Sequence, residues 1–230
     1  MKLIRIAFSA LVIALVMMGG ANAALIIFSG VDAGANSNNP RPLSNAAAAL
    51  FDAAGNETII DFEAAALGAF TNLVVAPGVT MNGGDISANP QTIRNTPVDS
   101  PDGLFGYNTT TTAGATHFVS LEGGTLTFTF ATPIEDFGAY FSGVQLNGET
   151  ISFNDGAPQV IPIPNPGSGV QFLGFTDFGR PISSITISVI NDIVGLDDVR
   201  VSSAAPEPAT LALFGIAVAG LGFSRRRKSI

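Results

Sequence analysis

The chain of 230 residues contains no cysteine, no tryptophan and one histidine, His117. Without thiols there is no disulfide, no thiolate zinc site and no thiol nucleophile. A single imidazole also excludes a metal centre built on several histidines. Lysine is absent between Ala24 and Ala205, where 17 acidic residues stand against four arginines and leave a net charge near −13. A surface of that sign repels the phosphates of nucleic acid, which is therefore excluded as a partner. It suits a soluble outer surface and divalent cations. Seventeen phenylalanines against two tyrosines, Tyr107 and Tyr140, point to a core packed from Phe, with few flat amphipathic rings for a ligand to stack on.

Long apolar runs occur only near the two ends. The first is flanked by Lys2 and Arg5, runs from Ile6 to Met18 and closes on Ala21-Asn22-Ala23. A positive start, an apolar run and an A-x-A site form a signal peptide over 1–23, with cleavage leaving Ala24 first. The second follows Pro206-Glu207-Pro208, stays uncharged from Ala209 to Phe223, and stops at Arg225, Arg226, Arg227 and Lys228. A proline is tolerated at the start of a helix, and a basic cluster after an apolar span stays on the cytoplasmic side. Sixteen residues from Pro208 to Phe223 make a helix of about 24 Å, short of a hydrocarbon core of about 30 Å. Snorkelling arginines and local bilayer thinning make up the difference. The body is expected to face outward from an inner-membrane intermediate, then to reach the cell surface or the medium.

With a signal peptide at one end, this tail resembles the PEP-CTERM sorting signal of Gram-negative bacteria. The resemblance covers 205–230. It implies an exosortase as partner, with Pro206, Glu207 and Pro208 as the recognised motif and not as catalytic residues. The family context suggests association with exopolysaccharide or biofilm.

Between the ends, 24–57 reads as a short strand (24–30), a loop (31–42) and one helix, "LSNAAAALFDAAGNE" (43–57). Ser44 or Asn45 is the expected cap, Leu50 and Phe51 the apolar face, and Gly55 the stop. From Thr58 the hydrophobic period becomes two. "TLTFTFAT" (125–132) places Leu126, Phe128 and Phe130 on one face and Thr125, Thr127 and Thr129 on the other. Short strands at roughly ten-residue spacing, broken by Gly, Pro and Asn, predict an antiparallel β-sandwich over 58–203. Asn147-Gly148 marks a hairpin turn. The phrases "IDFE", "LTFTFATPIEDFGAYF" and "VGLDDVRV" look like those of exported jelly-roll domains related to carbohydrate-binding modules. That resemblance implies that first and last strands lie side by side, where a structural calcium can bridge Glu63, beside Asp61, and Asp197 or Asp198. Alternation allows only one of those two aspartates to point inward; the plainer reading of all of them is solvated edge carboxylates.

Tyr107 lies in a loop and is the candidate for stacking on a sugar. "DSPDG" (99–103) reads as a turn or an oxygen site, and the threonines of 108–116 as a flexible loop. His117 has no serine and aspartate at suggestive spacing, and no pair of carboxylates is singled out for glycoside hydrolysis, which needs two groups across a cleft. The expectation is an exported, non-enzymatic envelope or matrix protein. A jelly-roll carbohydrate-binding module is the alternative, and a polysaccharide hydrolase stands behind both.

Overall fold

The computed structural model describes residues 25–36, 40–55, 57–83, 91–96, 106–110, 113–162, 169–176 and 178–203. The signal peptide expected at 1–23 and the tail expected at 204–230 lie outside them. Among the described residues no helix is long and apolar enough to cross a membrane.

The described chain is mainly β. In order it forms β1 (Ile26–Ala33), α1 (Pro42–Asp52), β2 (Thr58–Ile60), β3 (Gly68–Ala69), β4 (Asn72–Ala76), β5 (Val79–Gly83), β6 (Thr92–Arg94), β7 (Phe118–Ser142), β8 (Thr150–Phe153), β9 (Gln159–Val160), β10 (Gly169–Thr176) and β11 (Ile182–Ser203). All eleven strands belong to one hydrogen-bonded sheet. β7 is 25 residues long, roughly 80 Å if straight, whereas a domain of this size has a radius of gyration of about 16 Å. It must curl, and the register records how. Gly195 of β11 faces both Ser120 and Ser142, and Leu196 faces both Val119 and Phe141, so β11 passes between the two ends of β7. Along this pairing β11 numbers rise as β7 numbers fall, from Ile185↔Phe128 to Leu196↔Val119 and again from Asp197↔Tyr140 to Val201↔Phe137. β5 and β6 add to the first half of β7, β10 and then β1 to the second, and β8 and β2 to β11.

The curl encloses the apolar faces. Leu126, Phe128 and Phe130 lie in the main core, as their alternation predicts, with Phe137, Phe141, Phe153, Phe175, Ile185 and Ile187. β10 is buried on both faces: Leu173 and Phe175 join the main core, while Val170 and Phe172 join a second cluster under α1 with Tyr140, Ala47, Ala48 and Phe51. The segment 24–57 is built into the same sheet and its packing. β1 pairs with β10 at eight positions, and α1 roofs the outer face.

α1 is shorter than expected, and neither expected residue caps it. Arg41 holds the N-cap position and makes no side-chain capping bond. The cap comes from the sheet: Asp32 of β1 accepts from the Leu43 and Ser44 amides at 3.1 and 2.7 Å. Ser44 instead ties the helix down, donating to the Val170 carbonyl at 3.2 Å, while Asn45 accepts from the Tyr140 hydroxyl at 2.8 Å. The buried helix face is Ser44, Ala47, Ala48 and Phe51, at i, i+3, i+4 and i+7, and Leu50 is 64% exposed. Asn147-Gly148 does form a turn, but the residues before it are a loop and not the first arm of a hairpin.

Phe51 fits because the two strands beneath it carry facing glycines, Gly138 and Gly174. A Cβ on Gly174 would lie 2.5 Å from Phe51 Cδ2, and one on Gly138 would lie 2.7 Å from Phe172 Cζ. Gly174→Ala should therefore destabilise by about 1–3 kcal/mol through overpacking, and Phe51→Ala by about 3–5 kcal/mol through the cavity it leaves. Urea denaturation of the two variants measures both, and two unchanged midpoints would show that the helix is not packed on this glycine pair.

Candidate functional site

Five polar side chains gather where α1 ends. Asp52 is the last residue of the helix, Glu57 follows it, Asp136 comes from β7, and Arg200 and Ser202 come from β11. Arg200 is 3% exposed. Its Nε donates to Asp52 Oδ1 at 2.8 Å, its Nη1 donates to the Asp198 carbonyl at 2.9 Å, and its guanidinium lies 5.3 and 5.4 Å from the ring centres of Tyr140 and Phe172. That environment satisfies a buried cation by hydrogen bonds, one carboxylate and two aromatic faces. Ser202 Oγ donates to Asp136 Oδ2 at 2.5 Å.

Glu57 is the perturbed member. Both carboxylate oxygens are buried and accept no hydrogen bond among the described residues. Burial first, then the charges of Asp136 and Asp52, push its pKa up to about 7, with Arg200 pulling the other way. A carboxyl that titrates near neutrality is the kind of group general acid–base catalysis uses. An open cleft of about 590 Å³ adjoins the cluster, walled by Phe28, Glu135, Asp136, Phe178 and Arg180 among others. Glu57 is not on that wall, so it does not face Asp136 across the cleft as a glycosidase pair would.

The residues singled out from sequence fall elsewhere. Asp197 and Asp198 sit together on β11, and both are fully buried. Strict alternation would turn one outward, but Asp198 has φ +45 and breaks it. Asp197 Oδ2 accepts from the Thr109 amide at 2.9 Å and Oδ1 from the Asp198 amide at 2.7 Å, while Asp198 Oδ1 accepts from Thr110 Oγ1 at 2.9 Å. Burial and then the Asp198 charge hold the Asp197 carboxyl well above its ordinary range. Glu63 is engaged differently: its Oε1 accepts from the Thr116 and His117 amides. Asp61 Oδ1 accepts from the Glu63 amide at 3.2 Å, and His117 Nδ1 lies 3.3 Å from the Phe62 carbonyl. Among the described residues no three Asp, Glu, His or Cys side chains surround one point, so the expected calcium trio of Glu63, Asp197 and Asp198 does not converge. Asp197 and Glu63 are turned to backbone amides and Asp198 to the Thr110 hydroxyl, because those are the donors that the loops bring to them.

Tyr107 is corrected as well. It is 1% exposed, its hydroxyl donates to the Ala35 carbonyl at 2.5 Å, and it offers no face to a sugar. The loop carrying it lies directly on β11: a Cβ on Gly106 would stand 2.2 Å from the Gly195 nitrogen. Ser142 clasps the loop, accepting from the Tyr107 amide at 2.9 Å and donating to its carbonyl at 2.7 Å. Residues 99–103 lie outside the described residues.

The segment just beyond β11 is where comparison with known proteins is informative. Residues 204–228 match the PEP-CTERM protein-sorting motif. The PEP-CTERM motif implies an exported protein sorted by an exosortase, with a membrane-anchored intermediate. It includes Pro206, Glu207 and Pro208 and the basic run Arg225–Lys228. No curated protein matches the chain. Among solved structures the chain is similar to the catalytic unit of the thermostable GH87 α-1,3-glucanase from Streptomyces thermodiastaticus strain HF3-3, at 19% identity over 55% of this chain with a TM-score of 0.30. The chain spans 28% of the length of that catalytic unit, and a likeness at this level carries no argument about activity.

The cluster around Glu57 makes a pH prediction. Its folded pKa of about 7 exceeds the ordinary 4.5, so between those values the folded chain holds a proton that the unfolded chain has released. Stability is therefore lost as pH rises through that window. Melting temperatures taken from about pH 5 to about pH 8 should fall more steeply for the wild type than for Glu57→Gln. Parallel curves would mean that Glu57 is ionised throughout.

Proposed function

We propose that the chain is a non-enzymatic protein of the cell envelope or extracellular matrix, delivered by its sorting tail and held among exopolysaccharide or another surface polymer. One observation carries this reading: the sorting motif begins at residue 204, immediately after Ser203, where the last strand of the domain ends. Processing at Pro206-Glu207-Pro208 would release or transfer the domain without opening β11. The uncharged stretch 209–223 and the basic residues 225–228 then act as a halt in the membrane, with the cations kept on the cytoplasmic side. The signal peptide at 1–23, cleaved between Ala23 and Ala24, starts the export. The absence of an enzymatic role is supported by the carboxylates themselves. Asp197 and Glu63 spend their acceptor capacity on loop amides, and Glu57 stands off the cleft wall. A net-negative body also favours a hydrated polymer environment over a phosphate-rich partner.

The test replaces Pro206, Glu207 and Pro208 together by alanine in the producing cell. The altered chain should accumulate at full tail length in the inner-membrane fraction, while the wild type is recovered shortened at its C-terminus outside it, as read by fractionation and mass spectrometry. Equal shortening of both would overturn the sorting role of the motif. Co-sedimentation of the processed wild-type body with the cells' own exopolysaccharide checks the polymer association, and a body left wholly in the supernatant would contradict it.

A further inference from the structure

A groove opens at one end of the curled sheet, the end from which the sorting tail leaves. Four pieces of chain meet there: the start of β2 at Thr58, the β4–β5 turn at Pro77-Gly78, the 131–134 corner of β7 and the last residues of β11. Their pairing fixes the arrangement. Val201 of β11 faces Thr58, Ser203 faces Ile134, Val79 faces Phe130, and the Ala131 amide donates to the Gly78 carbonyl at 2.8 Å. The groove between them measures about 410 Å³. Buried Val79, Phe130, Ile134 and Val201 form its base, and Pro77 and Thr132 stand exposed on its rim.

No residue that lines this groove carries a charge. That sets it apart from a body of net charge near −13, and from the larger cleft, whose walls carry Glu135, Asp136 and Arg180. Depletion of charge around an apolar recess is the composition of a protein–protein contact. What covers the recess follows from the length of chain that leaves beside it. β11 ends at Ser203, and only Ala204 and Ala205 separate it from Pro206. Three residue steps span at most about 11 Å, while a folded domain of even 100 residues has a radius of gyration of about 13 Å. An enzyme that closes around Pro206, Glu207 and Pro208 therefore cannot stand clear of the body. Its surface meets the end of the sheet, where Val201 and Ile134 flank the exit.

We propose that this groove is the docking face for the exosortase, which seats an apolar part of its own surface between the β4–β5 turn and the β7 corner while it holds the motif. Only a processed tail brings that enzyme here, so the docking role stands on the sorting reading above. Processing then depends on the folded body as well as on the motif. A seated body presents Pro206 at high effective concentration. A chain that has not yet curled lacks the groove, because Val79, Phe130 and Val201 come together only when β5, β7 and β11 have paired. The enzyme thus acts on folded chains first.

The test follows C-terminal shortening of the full chain in the producing cell by pulse-chase and mass spectrometry. Thr132 is exposed, so Thr132→Glu and Thr132→Lys leave the core alone and should keep the wild-type melting temperature. Both should slow shortening by about tenfold, since either charge must lose its water against an apolar partner. Val160→Glu, at an exposed position on β9 away from the groove, should be shortened at the wild-type rate. About ten Gly and Ser residues inserted between Ser203 and Ala204 let the enzyme stand clear, and in that chain the Thr132 substitutions should have no effect. Thr132 variants that shorten at the wild-type rate, a slowing by one sign of charge alone, or a slowing that persists through the insertion would each overturn the docking face. A wild type that is never shortened would instead overturn the sorting reading, and the docking face with it. Thr132→Cys supplies the only thiol in the chain, to which a photo-crosslinker is attached. In membranes of the producing cell an adduct with the exosortase supports the proposal, and adducts confined to lipid, to a second copy or to residues 204–230 contradict it.

Discussion

β7 and β11, of 25 and 22 residues, pair along most of their length, and neither has room to lie straight. Their mutual register forces the curl, because the middle of β11 is hydrogen-bonded on one side to the start of β7 and on the other to its end. Every other strand in the sheet's main path attaches to one of these two directly or through a single neighbour. The phenylalanine core lies inside that curl, and the second cluster under α1 lies on the outside of the strands that complete it. A chain with no cysteine has no covalent staple, so packing and hydrogen bonding must hold this topology alone.

Carboxylates take part of the role that disulfides play in other exported domains. Asp32 caps a helix from a neighbouring strand, Glu63 gathers the chain before β7, Asp192 holds the β7–β8 loop, and Asp197 holds the loop that carries Tyr107. Each accepts main-chain amides and so ties a loop or a helix end to the sheet. The strongly acidic composition is therefore partly structural and not only a matter of surface solubility.

Strands were legible where long alternation marks one buried face, as at Leu126, Phe128 and Phe130, whereas short β6, with Ile93 buried between Thr92 and Arg94, reads as part of a loop. The helix was also legible, but its length and cap were not, because the capping carboxylate lies on β1, more than ten residues upstream. Leu50 looked like a core residue through its apolarity, yet Ala47 and Ala48 pack closer to the glycine-lined strands. Tyr107 looked exposed because it lies in a loop, and the close approach that buries it depends on Gly106 and Gly195, nearly ninety residues apart. The cluster at Glu57 carries no local spacing signal, since its members meet only when β7 and β11 curl and bring Asp136, Arg200 and Ser202 to the end of α1. The tail was the opposite case: its order of Pro-Glu-Pro, uncharged run and basic cluster is local, and so it was readable without a fold.

A domain that ends its last strand at the start of its sorting signal has to be one cooperative body if processing is to leave it intact. Native-state hydrogen exchange on the chain tests that requirement most directly. The amides of both halves of β7, around Phe128 and around Phe141, and those of β11 around Ile187 and Val199, should exchange together as the slowest group, at the free energy of global unfolding. If the half of β7 paired with Ile182–Val189 exchanges at a different free energy from the half paired with Leu196–Val201, the two long strands do not bind the sheet into one cooperative unit.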